Sequence, residues 1–274
     1  MQTSNMDCGI REIRQLTGFI EEKYGVDFNN YALMSFKRRV ESFLIANKYG
    51  MDTLFIKIES ADFFDHFVSQ IVVETTELFR DPNIWVLLKN NYLANILKEN
   101  DKVRIWLPMC SSGEEFYSLV ILLKECRWIE RVEVNVSGIS NETLNSIQNG
   151  WMKNEKLEIS DKNYIRFQGA GQLTDYFDKA DQHVVFDRSL FANTHFFKEG
   201  LEFNHDLPPI HLILFRNQLI YFNPTLQYKV CDTLYDKLAV NGLLFLGILE
   251  EIDANTDHKF IVLNKEESIY QRKG

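Results

Sequence analysis

The sequence predicts an α/β fold with a mostly parallel sheet, preceded by a small all-α domain. Residues from about Gly9 to Gln70 repeat apolar side chains at helical spacing. From Arg104 the texture changes to short apolar runs alternating with loops and helical stretches. That alternation implies parallel strands with helices on the faces of the sheet. The expected division is a helical domain over 1–72 and an α/β domain over 73–274.

Taken in order, Ile10, Ile13, Leu16, Phe19 and Ile20 make a first apolar stripe. Tyr31, Leu33, Phe36, Val40, Phe43 and Leu44 make a second. Tyr24-Gly25 and Tyr49-Gly50 read as helix stops, and Asp52-Thr53 is expected to cap a further helix. Residues 104–107, RIWL, end at Pro108 and read as a buried strand. A loop over 109–113 and a helix over about 114–126 follow. Residues 132–139, with Val132, Val134 and Val136 in alternation, form the second expected strand. Residues 211–215 form the third, and 243–246 the fourth, entered from an Asn241-Gly242 turn.

Apolar residues make up 45% and charged residues 25%, the balance of a soluble globular protein. No apolar run reaches the roughly 18 residues of a membrane span. The opening MQTSNMDCGIREIRQ lacks the charged-then-apolar order of a signal peptide. Membrane insertion and secretion are therefore not expected. Cys8, Cys110, Cys126 and Cys231 are scattered without CxxC or Cys/His ligand spacing. No disulfide framework or metal site is expected, and a cytoplasmic location fits. A net charge of −9 argues against nucleic acid as a partner, because phosphate contacts need a basic surface. Lys37, Arg38 and Arg39 form a local basic stretch, either a partner-facing patch or a solvated face.

Ligands of parallel sheets sit beyond the carboxyl ends of the strands, and three polar segments fall at or beside such ends. The first is Cys110-Ser111-Ser112-Gly113-Glu114-Glu115-Phe116-Tyr117-Ser118. Small residues there let backbone approach a ligand, and the helix N-terminus offers free N–H groups to a carboxylate. Glu114 and Glu115 suit the helix dipole and could hold an ammonium group; the same residues would also cap an ordinary surface helix. The loop lacks the GxxxxGK[ST] pattern of a phosphate loop. The second segment is Glu74-Thr75-Thr76-Glu77-Leu78-Phe79-Arg80-Asp81-Pro82. Arg80 at a domain junction could clamp a ligand carboxylate or form an inter-domain salt bridge. The third is Phe215-Arg216-Asn217-Gln218-Leu219-Ile220-Tyr221-Phe222-Asn223-Pro224, where Asn217 can donate and accept at once. Tyr221 could orient a substrate carboxylate or be a core tyrosine, and Asn223-Pro224 opens the next helix.

In the order ETTELFRDP, RIWLPMCSSGEEFYS, LILFRNQLIYFNPTLQ and LAVNGLLFLG, the chain resembles the chemotaxis-receptor (CheR-type) methyltransferases. YGVDFNNYALMSFKRRV is similar to that family's helical domain. The resemblance implies a Rossmann-like S-adenosylmethionine methyltransferase domain behind the helices. The implied reaction is methyl transfer to a receptor glutamate, with S-adenosylhomocysteine as product. The implied partners are cytoplasmic chemoreceptor helices or a related signalling protein. Thr76, Arg80, Glu115, Leu201 and Asn217 fall where cofactor contacts are expected, with Glu114 and Arg216 beside them. Tyr221 is the candidate for orienting the acceptor. The relatives' small antiparallel excursion corresponds to about 164–186, around Gly169-Ala170-Gly171.

Four departures fall on the expected cofactor pocket. Gly138 stands where the family carries an acidic residue for the ribose hydroxyls, a loss of roughly 1.5–3 kcal/mol per charge-assisted hydrogen bond. Gly200 replaces an asparagine, Glu74 stands where many relatives have Asn, and Met109 occupies a position usually Ala or Gly. Together they imply weakened cofactor binding, and they raise the alternative of a catalytically weak or inactive relative serving as a binding or scaffold module.

Overall fold

The computed structural model describes residues 8–72, 76–252 and 256–274. Four helices come first: α1 (Ile10–Tyr24), α2 (Leu33–Asn47), α3 (Met51–Lys57) and α4 (Ala61–Val72). Ile13, Leu16 and Ile20 give α1 one buried face, and Gly25 ends the helix in left-handed backbone. Phe36, Val40, Phe43 and Leu44 do the same for α2, as do Phe64, Phe67, Val68 and Ile71 for α4. The expected Asp52-Thr53 cap is corrected: Gly50 is the cap of α3, and Asp52 lies in its first turn, where its charge suits the dipole.

The sheet region follows as α5 (Pro82–Leu87), a π-helical turn (Leu88–Tyr92), α6 (Leu93–Glu99), β1 (Val103–Leu107), α7 (Glu114–Glu125), β2 (Val132–Gly138) and α8 (Asn141–Gln148). Next come β3 (Trp151–Lys153), α9 (Leu157–Phe167), β4 (Phe177–Lys179), β5 (His183–Phe186) and β6 (Thr194–Lys198). The chain ends with β7 (Ile210–Leu214), α10 (Pro224–Lys237), β8 (Leu238–Phe245), β9 (Phe260–Asn264) and β10 (Ile269–Arg272). Asn223 caps α10 by accepting from the Leu226 amide, as Asn-Pro predicts.

The seven-stranded sheet has the order β6-β2-β1-β7-β8-β10-β9. Its first five strands are parallel, and β10 and β9 close one edge antiparallel. The fold is therefore the Rossmann-like α/β class. Two details correct the sequence reading. Asn241-Gly242 is no turn: β8 runs through it, with Asn241 at φ 63° and a register shift against β7. The small antiparallel sheet, β3-β5-β4, begins at Trp151, and 169–171 is only the exit from α9.

Apolar packing divides between the two faces. One cluster joins helical residues such as Ile13, Val40 and Phe67 through Met109 to Trp106, Ile213 and Leu244 of the sheet and Leu234 of α10. The other face buries Trp85, Phe116 and Phe167. Full burial of a side chain of this kind stabilises by about 1.5–3 kcal/mol. Backbone pairing adds to the first contact, since the Ala32 amide donates to the Tyr221 carbonyl and Tyr31 bridges Phe222. The helices and the loop after β7 are thus held together directly.

Candidate active site

The strand order reverses between β1 and β7, the position where open parallel sheets form a crevice. The loops leaving those two strands line such a crevice here. From the β1 loop come Met109, Cys110, Ser112, Glu114 and Glu115, and from the β7 loop Arg216, Asn217 and Tyr221. Thr76 and Arg80 close the third side. Every expected site residue except Gly138 and Leu201 therefore borders one space. Gly138 lies one strand over, at the end of β2, and Leu201 is buried in the apolar cluster. Glu74 lies outside the described residues.

Local ties explain how the crevice keeps its shape. Ser118 of the GEEFYS run donates to the Glu114 carbonyl and accepts from the Phe79 amide, fastening the Arg80 loop to α7. The Tyr117 hydroxyl lies 3.1 Å from the carbonyls of Ile147 and Trp151. The end of the motif is thus structural, which leaves its two glutamates to the crevice. Gly113 sits at φ 93°, and a Cβ there would lie 2.9 Å from the Tyr117 ring. Phe79, Asp81, Met109 and Asn217 also adopt left-handed backbone, with φ between 52° and 58°. Such conformations are uncommon outside glycine and gather at functional sites.

Arg216 is the electrostatic centre, its side chain only 2% exposed. It donates to Asp81 at 2.6 Å, to Glu115 at 3.2 Å and to the Arg80 carbonyl at 3.3 Å. Its Nε and the Thr76 hydroxyl are buried without a partner among the described residues. Burial pushes the Glu115 carboxyl up despite the opposing charge of Arg216. Glu114, which accepts from Ser112, is pushed by burial to about 7. Burial also raises the Cys110 thiol, which removes it as a thiolate nucleophile. Arg80 keeps its side chain 40% exposed. Arg39 of α2 donates to the carbonyls of Ile71 and Val72 and lies 4.3 Å from the Tyr221 ring centre.

Sequence reasoning missed Glu250. Buried just after β8, it accepts from the amides of Asn217 at 2.7 Å, Gly247 at 2.7 Å and Ile220 at 3.2 Å, fixing the Asn217 turn. Burial raises its carboxyl against those bonds. No local pattern in GILEEI marks it, because its partners lie up to 33 residues away.

The crevice fits S-adenosylmethionine unevenly. At the amino-acid end, the exposed Arg80 guanidinium, two glutamates and the Thr76 hydroxyl, buried without a partner among the described residues, match a carboxylate and an ammonium. At the nucleoside end β2 finishes on Gly138, which has no side chain, and a Cβ there would meet the Cys110 carbonyl at 3.1 Å. The space there, between Val68, Val72, Met109 and Ile139, is about 10 Å³. The crevice itself encloses about 60 Å³, below the ~300 Å³ at which ligand pockets begin.

A family model described as the SAM-binding domain of CheR methyltransferases matches residues 74–269. The Pseudomonas putida protein Cher3 is 28% identical over 95% of this chain and 96% of its own length. A chemotaxis protein methyltransferase of Listeria innocua is 26% identical over 90% of this chain and 93% of its own. Among solved structures, the N-methyltransferase NodS of Bradyrhizobium japonicum aligns at TM-score 0.37 and 9% identity, over 68% of this chain and 94% of its own.

Proposed function

Because the chain belongs to the CheR methyltransferase family, we propose that it methylates a glutamate side chain of a partner protein of the chemoreceptor type in the cytoplasm. The observation that carries this reading is the convergence of Arg80, Glu115, Arg216, Asn217 and Tyr221 on one crevice at the sheet's switch point. Bound S-adenosylmethionine supplies an electrophilic methyl group. Thr76, Arg80, Glu114, Glu115 and Asn217 are the residues that would hold its amino-acid end. Arg80 neutralises a carboxylate, while Glu114 and Glu115 face an ammonium. Arg216, locked between Glu115 and Asp81, fixes the wall. Gly138 and Leu201 border the nucleoside side in this reading.

Tyr221 orients the acceptor carboxylate, with Arg39 stacked on its ring. A glutamate carboxylate is already a nucleophile, so positioning outweighs acid–base help. A chemoreceptor's cytoplasmic helices are the natural partner. No helix among the described residues is long and apolar enough to cross a membrane, so the receptor would bring the membrane.

A second reading is favoured by the nucleoside end, where Gly138 offers no ribose ligand and Val68 and Val72 of α4 line a space of only about 10 Å³. In it, the chain binds cofactor weakly or not at all and serves as a scaffold in chemosensory signalling. Calorimetric titration with S-adenosylhomocysteine, followed by transfer of a radiolabelled methyl group to a receptor cytoplasmic fragment, separates the two. Heat of binding and base-labile label support the enzyme; binding heat absent at millimolar ligand sinks it.

A further inference from the structure

A polar cluster outside the crevice ties the helices to the sheet through Asp65 of α4. Both of its carboxylate oxygens are used. One accepts from the Asn141 amide at 3.0 Å and Lys198 Nζ at 2.7 Å. The other accepts from the Glu142 amide at 2.8 Å and the Ser140 hydroxyl at 3.0 Å. The two amides are the first of α8, which leaves the end of β2. Lys198 is paired in register with Gly138 across β2 and β6. A cation therefore stands directly beside the strand end that lacks a side chain, and its counter-charge arrives from the helices, 133 residues earlier.

Val68 and Val72 follow Asp65 at three and seven residues, on the same face of α4. With Met109, Cys110 and Ile139, the residue after Gly138, they line a space of only about 10 Å³. One helix face thus carries a polar fastening and an apolar lid. We infer that Asp65, through Lys198 and the start of α8, clasps α4 over the nucleoside end of the crevice and so controls cofactor access. The identity of the ligand rests on the methyl-transfer reading. A ligand that needs the opened form has its apparent affinity reduced by the scarcity of that form. Loosening the clasp then tightens binding. A residue with a merely structural role gives the opposite result, because a loosened site binds less well.

The test uses the full chain and its Asp65→Asn, Asp65→Glu and Lys198→Met variants. S-adenosylhomocysteine affinity is read by calorimetry, and amide hydrogen exchange of α4 and α8 is read without ligand. Asp65→Asn and Lys198→Met should each bind about tenfold tighter, with faster exchange in α4; Asp65→Glu should return toward the parent. Should Asp65→Asn fail to fold, Lys198→Met carries the same expectation. Faster exchange with unchanged or weaker binding overturns the control of access, and unchanged exchange overturns the clasp. If the ligand binds none of the four proteins, the methyl-transfer reading and the control of access both fall, and exchange alone decides the clasp.

Discussion

The two ends of the crevice are built in different ways. The amino-acid end is made by loops leaving β1 and β7, with Arg216 buried between Asp81 and Glu115. The end beside β2, which the methyl-transfer reading assigns to the nucleoside, is covered by a helix from another part of the chain, with Asp65 reaching Lys198 beside Gly138. One end gathers charged side chains from its own loops, while the other sets Gly138 at its strand end beside an ion pair that reaches in from α4. Both ends are closed by packing, but polar groups facing the crevice are concentrated at one.

The largest expected effect breaks the first end. Arg216→Met leaves Asp81 and Glu115 without their cation and should cost about 3 kcal/mol in urea unfolding; a loss under about 1 kcal/mol would mean that water replaces the ion pairs. Next comes pH. The folded Glu114 carboxyl is raised from near 4.5 to about 7, so the folded state favours the protonated form. That stabilisation is complete below about 4.5 and is lost as pH rises through about 7, at most about 3 kcal/mol in all. Glu114→Gln should flatten the fall between pH 5 and 8, and an equally steep variant would show that another group titrates there. Third, Arg80→Met should weaken S-adenosylhomocysteine binding about 10- to 100-fold by removing a charge-assisted contact worth roughly 1.5–3 kcal/mol. Unchanged affinity would detach Arg80 from the ligand.

The smallest pair contrasts two glycines. A Cβ on Gly138 would press the Cys110 carbonyl and Leu144, whereas one on Gly200 would meet nothing within 4 Å among the described residues. Gly138→Ala should lower stability by about 1–2 kcal/mol, and Gly200→Asn should stay within about 0.5 kcal/mol. Thermal melts of the two variants, side by side, decide whether the first departure is built into the packing and the second is free. Equal shifts would erase the distinction.

Much of the architecture was legible because its signals are local. RIWLP gives β1, GEEFYS gives the start of α7, and Asn223-Pro224 gives the start of α10. Asn241-Gly242 misled, because pairing with β7 outweighs turn propensity. β6 escaped notice, since THFFK shows no clean alternation and its side chains are at most half-buried. The crevice was legible where its residues stand in contiguous blocks. Asp65 and Glu250 were not, and Arg39 was read only as part of a basic stretch, because each acts on a partner at least 30 residues distant. A carboxylate's value there depends on which amides the fold later brings to it.

Phe79, Asp81, Met109 and Asn217 bend the chain left-handed around the crevice. A valine or isoleucine at any of them would collide with its own main chain, whatever molecule the protein handles. Natural drift at these positions is thus filtered by geometry before chemistry has any say. A lineage that abandoned catalysis would still pass on the outline of the pocket, much as a lock survives the loss of its key.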